Sequence, residues 1–223
     1  MTLDTLEVAE ALAREARLLA EVSEAPATRR LWLWRSPRAL VVPRKLAVLP
    51  GFARAARASA EAGWPVAQRI TGGDVTPQGP GIVNLPHAYS VPARGFDMGR
   101  EYDRLCAPIE HALGPRASRG WRPGAFCDGA HNVQLGGLKF AGTAMRFRPA
   151  RGDRGRMAVL AHALMLMRPP EPAAIAALNR LLAALGEPRR IDPAAHGGLP
   201  DGDDPDRFLA RLVGAFDTTP HPA

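Results

Sequence analysis

Cys127 and Lys139 are the side chains whose rarity and spacing first suggest chemistry. The 223-residue chain holds two cysteines and, among 29 basic residues, two lysines, so a mid-chain lysine stands out against 27 arginines. A thiolate is a nucleophile that can carry an acyl group, and a nearby ammonium favours the thiolate or steadies a developing oxyanion. Each residue also has a plain reading. A cysteine beside Phe126 is a small buried hydrophobe, and a lysine on a strand is commonly solvated. Asp128 and His131 follow Cys127 closely enough to orient or tune it.

A second group lies upstream in residues 71–81, TGGDVTPQGPG, with four glycines and two prolines. Glycines let backbone N–H groups approach a ligand and adopt positive φ, and successive N–H groups make an anion- or carbonyl-binding concavity. Arg69, just before the loop, suits a phosphate or carboxylate. The loop matches neither common nucleotide-loop pattern, so both ligand binding and a tight connection stand as readings. A metal is not expected, because His87, His111, His131, His162, His196 and His221 show no ligand spacing with either cysteine. Cys106, beside Leu105 and Ile109, and His162, in the apolar run VLAHALML, read as core residues.

The elements that must position these groups follow from periodicity. Residues 3–22 place Leu3, Leu6, Ala9, Leu12, Ala16 and Leu19 close to a 3.6-residue period, an amphipathic helix with Asp4 near its start and Ala25-Pro26 ending it. Residues 31–34 and 39–42 are strand-like about the turn Arg35-Ser36-Pro37-Arg38 and predict an antiparallel hairpin, with Trp32 and Trp34 on one face as core or lining. A helix over 50–62, a strand over 66–70, an irregular 71–81, a strand from 82, a helix over 99–113 and a loop over 115–123 follow. Residues 124–146 read as two strands joined at Gly136-Gly137. A two-residue turn sets Gln134 opposite Lys139 and leaves Cys127 far down the ladder, so contact between thiol and amine needs the Cys127 end to fold back. Residues 157–167 are a buried strand or helix. Residues 172–185 are a helix, 193–205 a polar loop and 206–216 a last helix. Strands arriving as hairpins favour an α+β fold with a mixed, largely antiparallel sheet flanked by helices.

Composition bounds the rest. Hydrophobic content of 46% supports a buried core, and the length fits one domain. The net charge of +7 comes from scattered arginines, not a basic run, so nucleic acid is not expected, while an acidic protein partner stays open. No apolar run reaches spanning length and the N-terminus has no signal-peptide core, so neither membrane nor secretion is expected. Two cysteines make no disulfide framework, which points to the cytoplasm.

The two chemical stretches together resemble the lipoate–protein ligase and octanoyltransferase superfamily, which shares its fold with biotin–protein ligase. Residues 69–75, RITGGDV, are similar to the ligases' R-R-x-S/T-G-G-G-x-V loop from its second arginine, and residues 76–81, TPQGPG, to the octanoyltransferases' T-x-H-G-P-G. Residues 132–144 resemble the D/N-hydrophobic…G-x-K-hydrophobic-A/S-G-x-A signature, and the LWLWRSPRALVV segment is also similar. The resemblance covers residues 29–190. Asp74 stands for the ligase loop's third glycine and Gln68 for its first arginine, while Gln78 stands for the histidine of the octanoyltransferase motif. No cysteine follows Lys139, where one octanoyltransferase class keeps its nucleophile; Cys127 lies where a second class and related amidotransferases keep theirs.

The resemblance implies a single catalytic domain over 1–223 without a full C-terminal accessory domain. It implies acyl transfer in which the Cys127 thiolate takes an octanoyl or lipoyl group and Lys139 polarises the acyl carbonyl. Arg69, Thr71, Gly72, Gly73, Gln78, Gly79, Gly142, Thr143 and Ala144 would bind substrate. The donor would be acyl carrier protein or a lipoylated protein, the acceptor a lipoyl-domain lysine, with no cofactor. The alternatives are an ATP- and Mg2+-dependent lipoate ligase using Lys139, and a non-catalytic homologue that binds acyl or lipoyl proteins.

Overall fold

A computed structural model describes residues 2–218; His221 lies outside the described residues. In chain order the elements are β1 (Leu3–Thr5), α1 (Val8–Glu24), β2 (Arg30–Leu31), β3 (Leu33–Arg35), β4 (Ala39–Pro43), α2 (Arg44–Ala47), α3 (Phe52–Glu61), β5 (Val66–Arg69), β6 (Thr76–Gln78) and β7 (Ile82–Pro92). Then come α4 (Met98–Leu113), β8 (Ala117–Arg119), β9 (Val133–Leu135), β10 (Leu138–Pro149), β11 (Arg156–Leu166), α5 (Pro172–Ala184), a short 3-10 turn (Pro193–Ala195) and α6 (Pro205–Thr218).

Two sheets result. The larger runs β1-β3-β7-β11-β10-β9-β8, with β2 also on β7; the smaller runs β5-β4-β6. Pairing is antiparallel except for β1 with β3 and β4 with β5. The fold is α+β with a mixed, largely antiparallel sheet flanked by helices, as the pattern predicts.

Three apolar clusters tie the layers together. The face of α1 carrying Ala11, Leu12 and Leu19 packs with Trp32, Trp34, Val41 and Leu160. On the other side of the larger sheet, Leu105 and Ile109 of α4 and Phe208 and Phe216 of α6 cover Phe140 and Met165. Leu178 and Leu182 of α5 join Leu40, Val42 and Leu166 around Phe126 and Cys127. Truncating any one fully buried leucine here costs about 2–5 kcal/mol.

Four sequence expectations are corrected. Residues 31–42 do not form a hairpin, because β3 belongs to the larger sheet and β4 to the smaller. All five residues of β4 are buried. A strand covered on both faces takes neighbours from distant chain, here β5 and β6, and the Pro37-Arg38 bend carries the chain between sheets. The first helix begins at Val8, because Leu3–Thr5 pairs in parallel with β3, and Asp4 accepts from Arg14 and from the Trp32 indole. Two stretches expected to be irregular each contain a strand: Thr76–Gln78 within 71–81 pairs with β4, and Ala117–Arg119 within 115–123 pairs with β9. Residues 156–166 settle as a strand, β11, and Gln134 does stand opposite Lys139.

Candidate active site

The chain before β9 leaves the ladder and turns back over the end of the smaller sheet, which brings Cys127 beside the glycine loop. Cys127 is the one non-glycine residue with positive φ among those described, at 46°. A left-handed cysteine costs about 1–2 kcal/mol, so the surroundings must hold it. They do so through the backbone. Lys139 Nζ donates to the carbonyls of Phe126 and Cys127, at 2.5 and 2.8 Å, and Asn132 Nδ2 donates to Cys127 O at 3.1 Å. His196 Nε2 accepts from Phe126 N at 3.1 Å while its ring stacks on Phe126. Asp128 Oδ1 accepts from the backbone N–H groups of Arg122 and Gly129.

The thiol faces the loop. Asp74 N donates to Cys127 Sγ at 3.2 Å, and Arg69 Nη2 lies 3.8 Å from it. The rest of the Arg69 guanidinium holds the loop in shape, through Nε to Gly72 O, Nη1 to Thr76 Oγ1 and Nη2 to Asp74 O. The Asp74 side chain turns away, accepting from Val75 N and pairing with Arg189.

A narrow cleft opens between the sheets. Arg69, Thr76 and Gln78 line one side with Cys127, Gly142, Thr143 and Ala144 form a strand of floor, and Leu12, Trp34, Val41, His162 and Leu164 complete the walls. Behind the wall a buried polar chain crosses five elements. Trp34 Nε1 donates to Glu15 Oε1 at 2.8 Å, and His162 Nδ1 lies 2.9 Å from the same oxygen. His162 Nε2 is 3.2 Å from Asn84 Oδ1, and Asn84 and Gln78 exchange reciprocal amide hydrogen bonds.

Of the residues singled out in the sequence, the fold gathers Arg69, Gln78, Cys127, Gly142, Thr143 and Ala144 on the cleft. Lys139 sits beneath it: a Cβ added to Gly142 would come 3.1 Å from Nζ. Gly72 and Gly73 shape the loop, and Thr71 is buried with its hydroxyl unpartnered. Gly79 lies against Arg38, not on the cleft. His131 stacks on Tyr102, and Cys106 Sγ donates to His131 O from α4. Burial pushes the Cys106 thiol up to about 12, which removes it as a competing nucleophile. Glu15, Leu12 and the lining role of His162 were missed. Glu15 is the one with a sequence signal, a carboxylate in the apolar stripe between Leu12 and Leu19.

Burial pulls the Lys139 ammonium down to about 8, opposed by Cys127 and Asp128 and aided by Arg69. An unfolded lysine titrates near 10.5, so between about 8 and 10.5 the unfolded chain binds the extra proton and stability rises with pH. Urea midpoints at pH 7.5 and 10 are expected to rise more for the parent than for Lys139→Met, which lacks this group; equal rises would contradict the assignment. Among the described residues, no cluster of three or more His, Cys, Asp or Glu is placed to hold a metal ion.

The lipoyl protein ligase A/B catalytic domain family matches residues 7–180. The chain belongs to this family. An uncharacterised protein of Cupriavidus necator is 36% identical over 173 residues, 72% of this chain and 68% of that protein. An octanoyl-[GcvH]:protein N-octanoyltransferase of Kyrpidia tusciae is 37% identical over 161 residues, 67% of this chain but 53% of that enzyme. The match thus spans about half the length of that relative. Among solved structures, lipoate-protein ligase A bound with ATP superposes with a TM-score of 0.65 at 17% identity, covering 96% of this chain and 83% of that one. A bi-partite lipoate protein ligase of Thermoplasma acidophilum gives 0.61 at 19% identity, covering 96% and 81%. At these identities the structures speak for the fold.

Proposed function

We propose that the protein is an acyltransferase that moves an octanoyl or lipoyl group onto a lipoyl-domain lysine through a thioester on Cys127. The observation that carries this reading is the sulfur itself, buried on the lining of an apolar cleft and held by a backbone N–H at 3.2 Å with a guanidinium beside it. The octanoyl-[GcvH]-dependent enzymes among its relatives support an octanoylated lipoyl-domain protein as donor. Cys127 thiolate attacks the donor's acyl carbonyl. The S–C bond forms as the C–N bond to the donor lysine breaks, and the departing amine takes up a proton. The acceptor lysine then attacks the thioester, gives up a proton and restores the thiolate, so the cycle needs no net oxidant or energy source. Acyl carrier protein as donor differs only in breaking a C–S bond.

An adenylating mechanism fits these residues poorly. A triphosphate with Mg2+ needs free cations on the cleft, whereas Arg69 is engaged by three loop oxygens and the sulfur, and Lys139 by two carbonyls. No step is assigned to ATP.

The test is intact mass spectrometry after incubation with octanoylated GcvH or octanoyl–acyl carrier protein, without ATP. One octanoyl adduct, labile to hydroxylamine and mapped to Cys127, is expected. Lipoate-dependent ATP–pyrophosphate exchange in the absence of any adduct would favour the ligase, and neither activity would favour a non-catalytic binder.

A further inference from the structure

Arg69 is a buried cation with no carboxylate in contact among the described residues. It is 6% exposed, and its contacts among the described residues are two carbonyls, one hydroxyl and one sulfur. Glu15 of α1 acts on it only at longer range. A guanidinium does not shed its proton in a protein, so burial leaves a charge that needs an anion. The group in contact that can become an anion is the Cys127 thiol.

The contact is direct. A Cβ built on Gly73 would lie 2.8 Å from both Arg69 Nη2 and Cys127 Sγ, so nothing larger than a hydrogen fits there. The other charged groups around the sulfur are committed elsewhere. Lys139, from β10, is aimed at the carbonyls of the Phe126–Cys127 turn. Asp74, from the loop, is paired with Arg189, and Asp128 accepts from backbone N–H groups and Asn132.

We propose that the Arg69 guanidinium is the direct counter-ion of the Cys127 thiolate and the residue that activates it, while Lys139 is a positioning residue that holds the cysteine in its left-handed turn. The catalytic part rests on the acyl-transfer reading given above; the ion pair itself does not. Arg69 is then a site for an anion, but the anion is the enzyme's own nucleophile and not a substrate phosphate.

The experiment is alkylation of the full chain by iodoacetamide from pH 5 to 10, with the peptide of Cys127, which is 7% exposed and lines the cleft, quantified by mass spectrometry and that of the fully enclosed Cys106 as an internal control. In Arg69→Met the Cys127 rate at pH 7 is expected to fall on the order of tenfold, with the alkylation profile displaced to higher pH. Arg69→Lys is expected to lie between, since it restores charge without the planar fork. Lys139→Met is expected to slow acyl transfer while leaving the alkylation midpoint in place. Superimposable profiles for the parent and Arg69→Met would overturn the proposal, as would a shift in Lys139→Met as large as that in Arg69→Met. Should Arg69→Met fail to fold by circular dichroism, the thiolate absorbance at 240 nm, taken as parent minus Cys127→Ala, decides. A band at neutral pH that weakens in Arg69→Lys supports the ion pair, and its absence below pH 8 overturns it. Because alkylation needs no acyl donor, a failed ion pair and a failed transferase reading give separate results.

Discussion

Cys127→Ala is expected to lose both the octanoyl adduct and turnover, with transfer reduced by at least on the order of 10³-fold. Lys139, Asn132 and His196 still bind the backbone of the turn in this variant, since none of their contacts involves the sulfur. The fold therefore persists, and the loss is chemical. Stability is expected to fall by about 1–3 kcal/mol, because removing Sγ strips a contact from the buried guanidinium. Cys106→Ala is the matching control. Its thiol lies on α4, buried and donating to a backbone carbonyl, and activity is expected to stay within about threefold of the parent. The measurements are initial rates with octanoylated donor and lipoyl-domain acceptor, alongside thermal melts. Undiminished transfer by folded Cys127→Ala would end the covalent reading. Loss of activity in Cys106→Ala at unchanged stability would move the nucleophile to α4.

The same turn shows which features a sequence can carry. The Gly136-Gly137 pair sets the register that places Gln134 against Lys139, because a two-residue hairpin turn is a local event. The inward aim of Lys139 is legible only through the signature around it. Its partners are the carbonyls of Phe126 and Cys127, and no periodicity predicts that a chain leaving a strand will fold back onto them. The failed hairpin at residues 31–42 has the same origin. Trp34 pairs with Asn84 and Val41 with Thr76, both distant choices that the Pro37-Arg38 bend does not encode. The wall of the cleft is hidden for a further reason. His162 sits in an apolar run typical of a core strand, and its Glu15 partner comes from the first helix. The two meet because β11 lies under α1 and opposes Ala144 on β10 with that histidine. Long-range pairing thus decides which buried polar residues become a site. Residue type alone shows only that Arg69, Cys127 and Lys139 are unusual enough to need a reason.

Gly73→Ala is expected to cost most of the activity, on the order of 10²-fold in kcat/KM, and about 1–3 kcal/mol of stability. Two independent penalties meet at this position. The backbone has φ of 91°, which an L side chain adopts only under strain. The new methyl would also stand 2.8 Å from Arg69 Nη2 and from Cys127 Sγ, driving apart the two groups proposed to act together. Gly72→Ala separates these effects from a general need for small residues in the loop. Gly72 has no positive φ, and an added Cβ there meets nothing within 4 Å, so this variant is expected to transfer within about threefold of the parent. The family pattern treats both glycines alike, whereas the geometry makes only Gly73 indispensable. Kinetics and melting temperatures of the two variants test this directly, and equal losses in both would show that the loop's role does not lie in the Arg69–Cys127 contact. A Gly73→Ala protein that keeps full alkylation reactivity at Cys127 while losing transfer would point instead to the backbone N–H of Asp74, whose 3.2 Å approach to the sulfur depends on the same turn.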